Sequence, residues 1–285
     1  MKKALTLSII IPVYNEAHRL NFCLDAIAAQ DEMPDEVIVV DNNSSDNSVV
    51  IASSYPFVRV VHEKKQGLIF ARDRGFSVAK SDILGRIDAD SIINPEWVNN
   101  VKVIFKDNSV AGATGPSYSL LLPRIRWPMT MIWSQLYFIW SHVYYGVPVL
   151  WGANMAVRAT AWQDIKKDVC KDATVVHEDQ DISLLLLSNG QKLINSKTML
   201  FTSYSQAQHY FPKLMYYSRL RNKTRAYHRQ RGSFKTMQLD YYGLKRFLLF
   251  AIGWPIIALF YIASFLMWPV DAFVTALGKQ DSWLS

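Results

Sequence analysis

The chain has 285 residues, half of them hydrophobic and 13% aromatic, with 31 Lys and Arg against 24 Asp and Glu for a net charge of +7. That length builds one large or two small domains, and an apolar content rich for a purely soluble protein points to one catalytic domain with membrane-facing elements. Cys23 and Cys170 stand in no C-x-x-C or zinc-like spacing, which argues against a disulfide framework or a structural zinc site and fits a reducing setting.

From the N-terminus, Lys2 and Lys3 precede an apolar run that Pro12 and Asn15 interrupt too early for a secretory signal. Residues 5–13 read instead as a buried parallel strand. Tyr14-Asn15-Glu16 then turns the chain into a helix with Leu20, Cys23, Leu24 and Ile27 at helical spacing. A second strand, 36–40, ends in Asp41-Asn42-Asn43-Ser44-Ser45-Asp46, which is loop and cap chemistry. A third strand covers 58–62, Gln66-Gly67 leads into a helix over 68–79, and a fourth strand runs into Arg86-Ile87-Asp88-Ala89-Asp90-Ser91. Strands alternating with helices in this way predict an α/β fold with a mostly parallel, doubly wound sheet.

The polar residues at the strand ends fall on one edge of that sheet: Pro12, Tyr14 and Glu16, then Asp41, then Gln66 and Arg72, then Asp88 and Asp90. Open α/β sheets bind ligands at such an edge. D-x-D by itself is more often a solvated turn. Two carboxylates at a strand end also suit a hard divalent cation, Mg2+ or Mn2+, able to grip a diphosphate. Neither G-x-G-x-x-G nor a Walker A sequence is present, so a dinucleotide fold and a P-loop are not supported.

The words Ile9-Ile10-Ile11-Pro12-Val13-Tyr14-Asn15-Glu16, Val40-Asp41-Asn42-Asn43-Ser44-Ser45-Asp46, Ala71-Arg72-Asp73-Arg74-Gly75 and the D-x-D, in this order and spacing, resemble the family 2 glycosyltransferases. The resemblance implies the single-domain nucleotide-diphospho-sugar transferase fold and an inverting, metal-dependent transfer. Pro12, Tyr14, Glu16, Asp41, Gln66 and Asp88 would line the nucleotide pocket, with Arg72 closing over it and Asp88 and Asp90 at the metal. The donor expected by default is a uridine diphosphate sugar.

Past a strand over 110–115, residues 127–157 contain no Asp, Glu, Lys or Arg. Within them, 129–145 reads as an aromatic helix, either packed on the core or lying at a membrane interface. Trp151-Gly152-Ala153-Asn154 resembles the family's G-x-N segment, so Trp151, Gly152 and Asn154 would approach the donor sugar and acceptor. His177-Glu178-Asp179-Gln180-Asp181 opens the next helix, where first-turn acids also suit the helix dipole. The family resemblance makes Asp179 the catalytic base, with Glu178 the competitor. Many processive relatives carry Q-x-x-R-W after the base; here that word is missing, which argues against polymer synthesis.

The remaining segments divide the chain into a catalytic domain at 1–205, a basic amphipathic helical region at 206–246, a membrane-inserted or transmembrane helix at 247–270 and a tail at 271–285. Ten Lys and Arg between 213 and 246 face one acid, Asp240. Such a belt could bind nucleic acid or anionic lipid, and its place beside the 24 uncharged residues 247–270 decides for lipid. Positive charge ahead of that span predicts a cell-membrane protein with its catalytic domain on the cytoplasmic side. A lipid-linked acceptor or an envelope polysaccharide would then be the substrate. Two other classes share parts of this pattern: a nucleotidyltransferase of the same fold, whose Gly-rich basic loop after the first strand is missing here, and an inactive membrane-tethered nucleotide-sugar-binding protein.

Overall fold

A computed structural model describes residues 4–119, 138, 148–199, 201–203 and 210–232. The expected spans over 129–145, apart from Phe138, and over 247–270 lie outside the described residues. Among the described residues no helix is long and apolar enough to cross a membrane.

The first half follows the sequence pattern closely. Strands β1 (Leu7–Val13), β2 (Glu36–Asp41), β3 (Val58–His62) and β4 (Ile83–Ile87) alternate with helices α1 (Leu20–Ala28), α2 (Ser48–Ser53) and α3 (Leu68–Val78). These strands pair in parallel, β1 lying between β2 and β4. β1 is apolar at nearly every position because both of its faces are covered. Leu7, Ile9 and Ile11 pack with Leu20, Leu24 and Ile27 of α1, whereas Ile10 joins Ile38, Val40 and Phe76 on the opposite face. Helix α3 lies so close that a Cβ on Gly75 would come within 2.3 Å of the Ile10 side chain.

The second half departs from the simple winding. After β5 (Ser91–Ile93), α4 (Trp97–Ile104), β6 (Val110–Thr114) and β7 (Ser117–Ser119), the chain returns as β8 (Asn154–Arg158). β8 runs antiparallel between β4 and β6, so the seven-stranded sheet, ordered β3-β2-β1-β4-β8-β6-β9, is mixed. Helices α5 (Ala159–Ile165) and α6 (Glu178–Ser188), strands β9 (Lys192–Asn195) and β10 (Phe201–Ser203), and helix α7 (Tyr210–Gln230) complete the order. β10 joins β5 and β7 in a small second sheet. Chain order reverses direction in the main sheet between β1 and β4. The crevice beyond their carboxyl ends is the favoured ligand site of an open α/β sheet.

Candidate active site

Three loops build the left wall of that crevice. Pro12 closes β1 as a buried residue and Tyr14 stands 53% exposed beyond it. Asn15 adopts φ +54°, a left-handed conformation that Asn tolerates better than most residues. Its carboxamide Oδ1 accepts the Ser45 N–H at 2.8 Å, while the Glu16 N–H donates to Ser48 Oγ at 2.9 Å. These bonds zip the β1–α1 loop to the β2–α2 loop. Asp41, at the end of β2, accepts the Ser44 N–H at 3.1 Å and lies 3.2 Å from His62 Nδ1. Asn42 accepts the Gly67 N–H at 2.7 Å, so the β3–α3 loop carrying the exposed Gln66 is tied to the same wall.

Asp88 and Asp90 follow β4 at the centre. Asp90 is largely buried, and burial first, then Asp88 and Glu16, push its carboxyl up to about 6. Burial, partly offset by Arg19, also raises Glu16. Three acids thus face one another, with Arg19 3.3 Å from Glu16 and Arg86 2.6 Å from Asp88, and Asp90 is still pushed up by burial and by the other two. That is a cost a divalent cation would offset. Two carboxylates suit Mg2+ or Mn2+ of the kind that draws its other ligands from substrate phosphates and water. Among the described residues no three His, Cys, Asp or Glu side chains form a ready-made metal cage.

The right wall is the first turn of α6, where Glu178 and Asp179 are almost enclosed. Glu178 is held by two guanidinium groups, Arg72 Nη1 at 2.5 Å and Arg86 Nη1. Asp179 Oδ2 accepts the Gly152 N–H at 2.8 Å, and Asp179 Oδ1 lies 2.5 Å from His177 Nδ1. Burial pushes the Asp179 carboxyl up, but His177, the Gly152 N–H and Arg86 outweigh it and hold the group below the usual carboxylate range. For His177 burial acts downward and Asp179 upward, with a net rise. Each group thus favours the charged form of the other.

Arg72 differs from expectation. It does not close over the nucleotide pocket: its side chain is fully buried and bonded to Asp73 at 2.8 Å and to Glu178. Asn154 also turns inward, accepting from Trp97 Nε1 at 2.8 Å and donating to the carbonyls of Gly115 and Met199. Trp151 is half-buried, edge-on to Phe138 and Phe201. Of the G-x-N segment, Gly152 alone is bonded to Asp179, through its N–H.

Sequence patterns did not single out Arg86, His177 or the seat of α7. A basic residue inside an apolar strand, as at Arg86, was the one available signal. Helix α7 was expected as an amphipathic surface helix, and one stripe of it, Leu220, Thr224 and His228 at four-residue spacing, is buried. Thr224 Oγ1 accepts the His177 N–H at 2.7 Å, and His228 Nε2 meets Asp181 Oδ1 at 2.8 Å. Tyr217, 43% exposed, lies with its ring 5.3 Å from that of His177. Arg219, Lys223 and Arg229 stay exposed on the other side.

A mixed α/β sheet with acids gathered at the β1/β4 reversal defines an α/β protein with its candidate site at the sheet edge. Residues 8–165, more than half of the chain, match the model of glycosyl transferase family 2, and the chain belongs to that family. It is 37% identical over 93 residues to an uncharacterized glycosyltransferase, YibD, of Escherichia coli, a match covering 31% of this chain. The chain spans only 27% of that relative's length. Among solved structures, a mannosyltransferase of Pyrobaculum calidifontis in complex with GDP-Man and Mn2+ superposes with a TM-score of 0.64 over 98% of this chain and 81% of its own, at 18% identity. TarS of S. aureus (residues 1–349) in complex with UDP-GlcNAc superposes at 0.54 over 70% of this chain and 59% of its own, at 18% identity. At such identities the likeness is one of fold.

Proposed function

We propose that this protein transfers a sugar from a nucleoside-diphosphate sugar to a hydroxyl of a lipid-linked or envelope-glycan acceptor, with inversion at the anomeric carbon. The observation that carries the reading is the meeting, at one sheet edge, of an under-compensated acid cluster, Glu16, Asp88 and Asp90, with a preformed acid, Asp179, across the crevice. Neighbours of the same fold bind GDP-Man with Mn2+ and UDP-GlcNAc, which supports a nucleotide-sugar donor and a divalent cation. A uridine diphosphate sugar is the donor to test first.

Asp41 and Tyr14 would receive the nucleoside, and Asp88 and Asp90 would hold the cation. When bound, that cation neutralises the diphosphate as it departs. Asp179 takes the proton of the acceptor hydroxyl while the hydroxyl oxygen bonds to the anomeric carbon. The bond to the diphosphate breaks and its electron pair leaves with the diphosphate. A single displacement of this kind inverts the centre. Glu178 is fixed between two buried guanidinium groups that cannot give up their protons, whereas Asp179 meets a titratable imidazole and a backbone N–H, which favours Asp179 as the base.

The exposed cations of α7, together with the uncharged residues 247–270, support a seat at the cytoplasmic face of a membrane beside a lipid-linked acceptor. The test is release of nucleoside diphosphate from a panel of nucleotide sugars with Mn2+ or Mg2+ and detergent-purified protein. A cation-dependent signal with one donor, lost in Asp90→Ala, is the expected result. Failure of any nucleotide sugar to bind in calorimetry would put the inactive binding protein or another chemistry ahead.

A further inference from the structure

Strand β4 places a full positive charge in the middle of the sheet. Arg86 is 2% exposed and pairs in register with Ile10 of β1 and Met155 of β8. Burying an ion there costs several kcal/mol before any partner is counted, and an apolar residue of similar volume is often cheaper. The guanidinium is bonded at both ends, Nη1 to Glu178 Oε1 and Nη2 to Asp88 Oδ1 at 2.6 Å. Glu178 is joined in turn to Arg72, and Arg72 to Asp73. The charges alternate along Asp73, Arg72, Glu178, Arg86 and Asp88.

The far end of this series opens to the crevice, since the Asp88 side chain is 39% exposed while Arg72 and Arg86 are enclosed. Among the described residues Asp88 Oδ2 has no hydrogen-bond partner, so Arg86 takes one carboxylate oxygen and leaves the other. Space for the guanidinium comes from Gly152: a Cβ there would lie 2.1 Å from Arg86 Nη1 and 3.0 Å from Glu178 Oε1. We infer that Arg86 is a positioning residue for the cation-bound donor, fixing the Asp88 carboxylate through Oδ1 so that its second oxygen meets the cation beside Asp90. Glu178 and Gly152 seat the arginine. This rests on the reading of Asp88 as a ligand of the cation. Hydrogen bonds that orient a ligating carboxylate are worth 10- to 100-fold in affinity or activity.

The experiment measures binding of Mn2+ with UDP, and then with GDP, by electron paramagnetic resonance and calorimetry. The proteins are the full chain and its Arg86→Met, Arg86→Lys, Asp88→Asn and Arg86→Met/Asp88→Asn variants, with circular dichroism to check the fold. Arg86→Met is expected to weaken the complex about 10- to 100-fold, and Arg86→Lys, which keeps the charge but loses the two-ended fork, to recover part of it. In the Asp88→Asn background the methionine should cost little more, because the two residues act as a unit. Unchanged affinity in Arg86→Met, or an equal loss in both backgrounds, would overturn the inference. Should Arg86→Met not fold, Arg86→Lys decides: affinity equal to wild type rejects the role. Wild type that binds Mn2+ and nucleotide no better than Asp88→Asn would instead remove the reading of Asp88 beneath it.

Discussion

Two pairs of acids face each other across the crevice, and their surroundings are opposite. Asp88 and Asp90 sit beside a third acid, Glu16, and Asp90 is pushed up to about 6. Glu178 and Asp179 are surrounded by Arg72, Arg86, His177 and a backbone N–H, and Asp179 is held low although it is more deeply buried. Burial opposes ionisation in both places; what differs is how much positive charge the protein supplies, Arg86 alone on Asp88 against Arg72, Arg86 and His177 on Glu178 and Asp179. In the proposed function the first pair would receive a cation from outside, whereas the second is oriented in advance by its own partners. Arg86 touches both, linking Asp88 to Glu178.

Breaking the preformed side should have the largest effect. Asp179→Asn keeps the shape but cannot take a proton, so transfer should fall by about 10²- to 10⁴-fold, the usual range for a general base. Donor binding, measured calorimetrically, should hardly move. A transfer rate equal to wild type would remove Asp179 from the role. Gly152→Ala attacks the junction of the two walls: its new methyl collides with Arg86, and the loss should be about 1–3 kcal/mol in denaturant unfolding, as for other overpacked sites. Full stability in that variant would mean the arginine has room to move.

Removing the cation beside the base sharpens the comparison further. Without His177 the burial that raises Asp179 loses its main opponent, so His177→Gln should move the acidic limb of the kcat/KM profile to higher pH. The sign follows from the pair. The low Asp179 value adds stability above the unfolded value near 4, lost as pH falls through the folded one. The raised His177 value adds stability below its unfolded value near 6.5, lost as pH rises through the folded one. The mutual stabilisation is therefore fullest between about pH 4 and 6.5. An acidic limb that stays in place would show that His177 does not set the base. The smallest effect is expected at Asp90. In chelator, Asp90→Asn should leave the protein equally stable or stabilise it by about 0.5–2 kcal/mol, as happens when functional strain is relieved. A clear loss on melting would show that Asp90 is a structural residue.

Much of the donor half was legible from the chain alone. The continuous apolar run at 37–40 could bury itself only as a covered strand, and the helical spacing of Leu20, Cys23, Leu24 and Ile27 placed one face of α1 on the core. Strand ends then put Tyr14, Asp41 and Asp88 on one edge without any knowledge of distance. These features are local: period, turn chemistry and spacing carry them over a few residues. The antiparallel insertion of β8, the enclosure of Arg72 and Arg86, the inward turn of Asn154 and the docking of α7 through Thr224 and His228 were decided by the tertiary structure. Each depends on partners 40 to more than 100 residues away, such as Arg72 and Glu178, 106 positions apart. An arginine reads as surface until the fold brings a carboxylate to it. Sequence determined which acids reach the crevice; only packing decided which of them the protein neutralises itself.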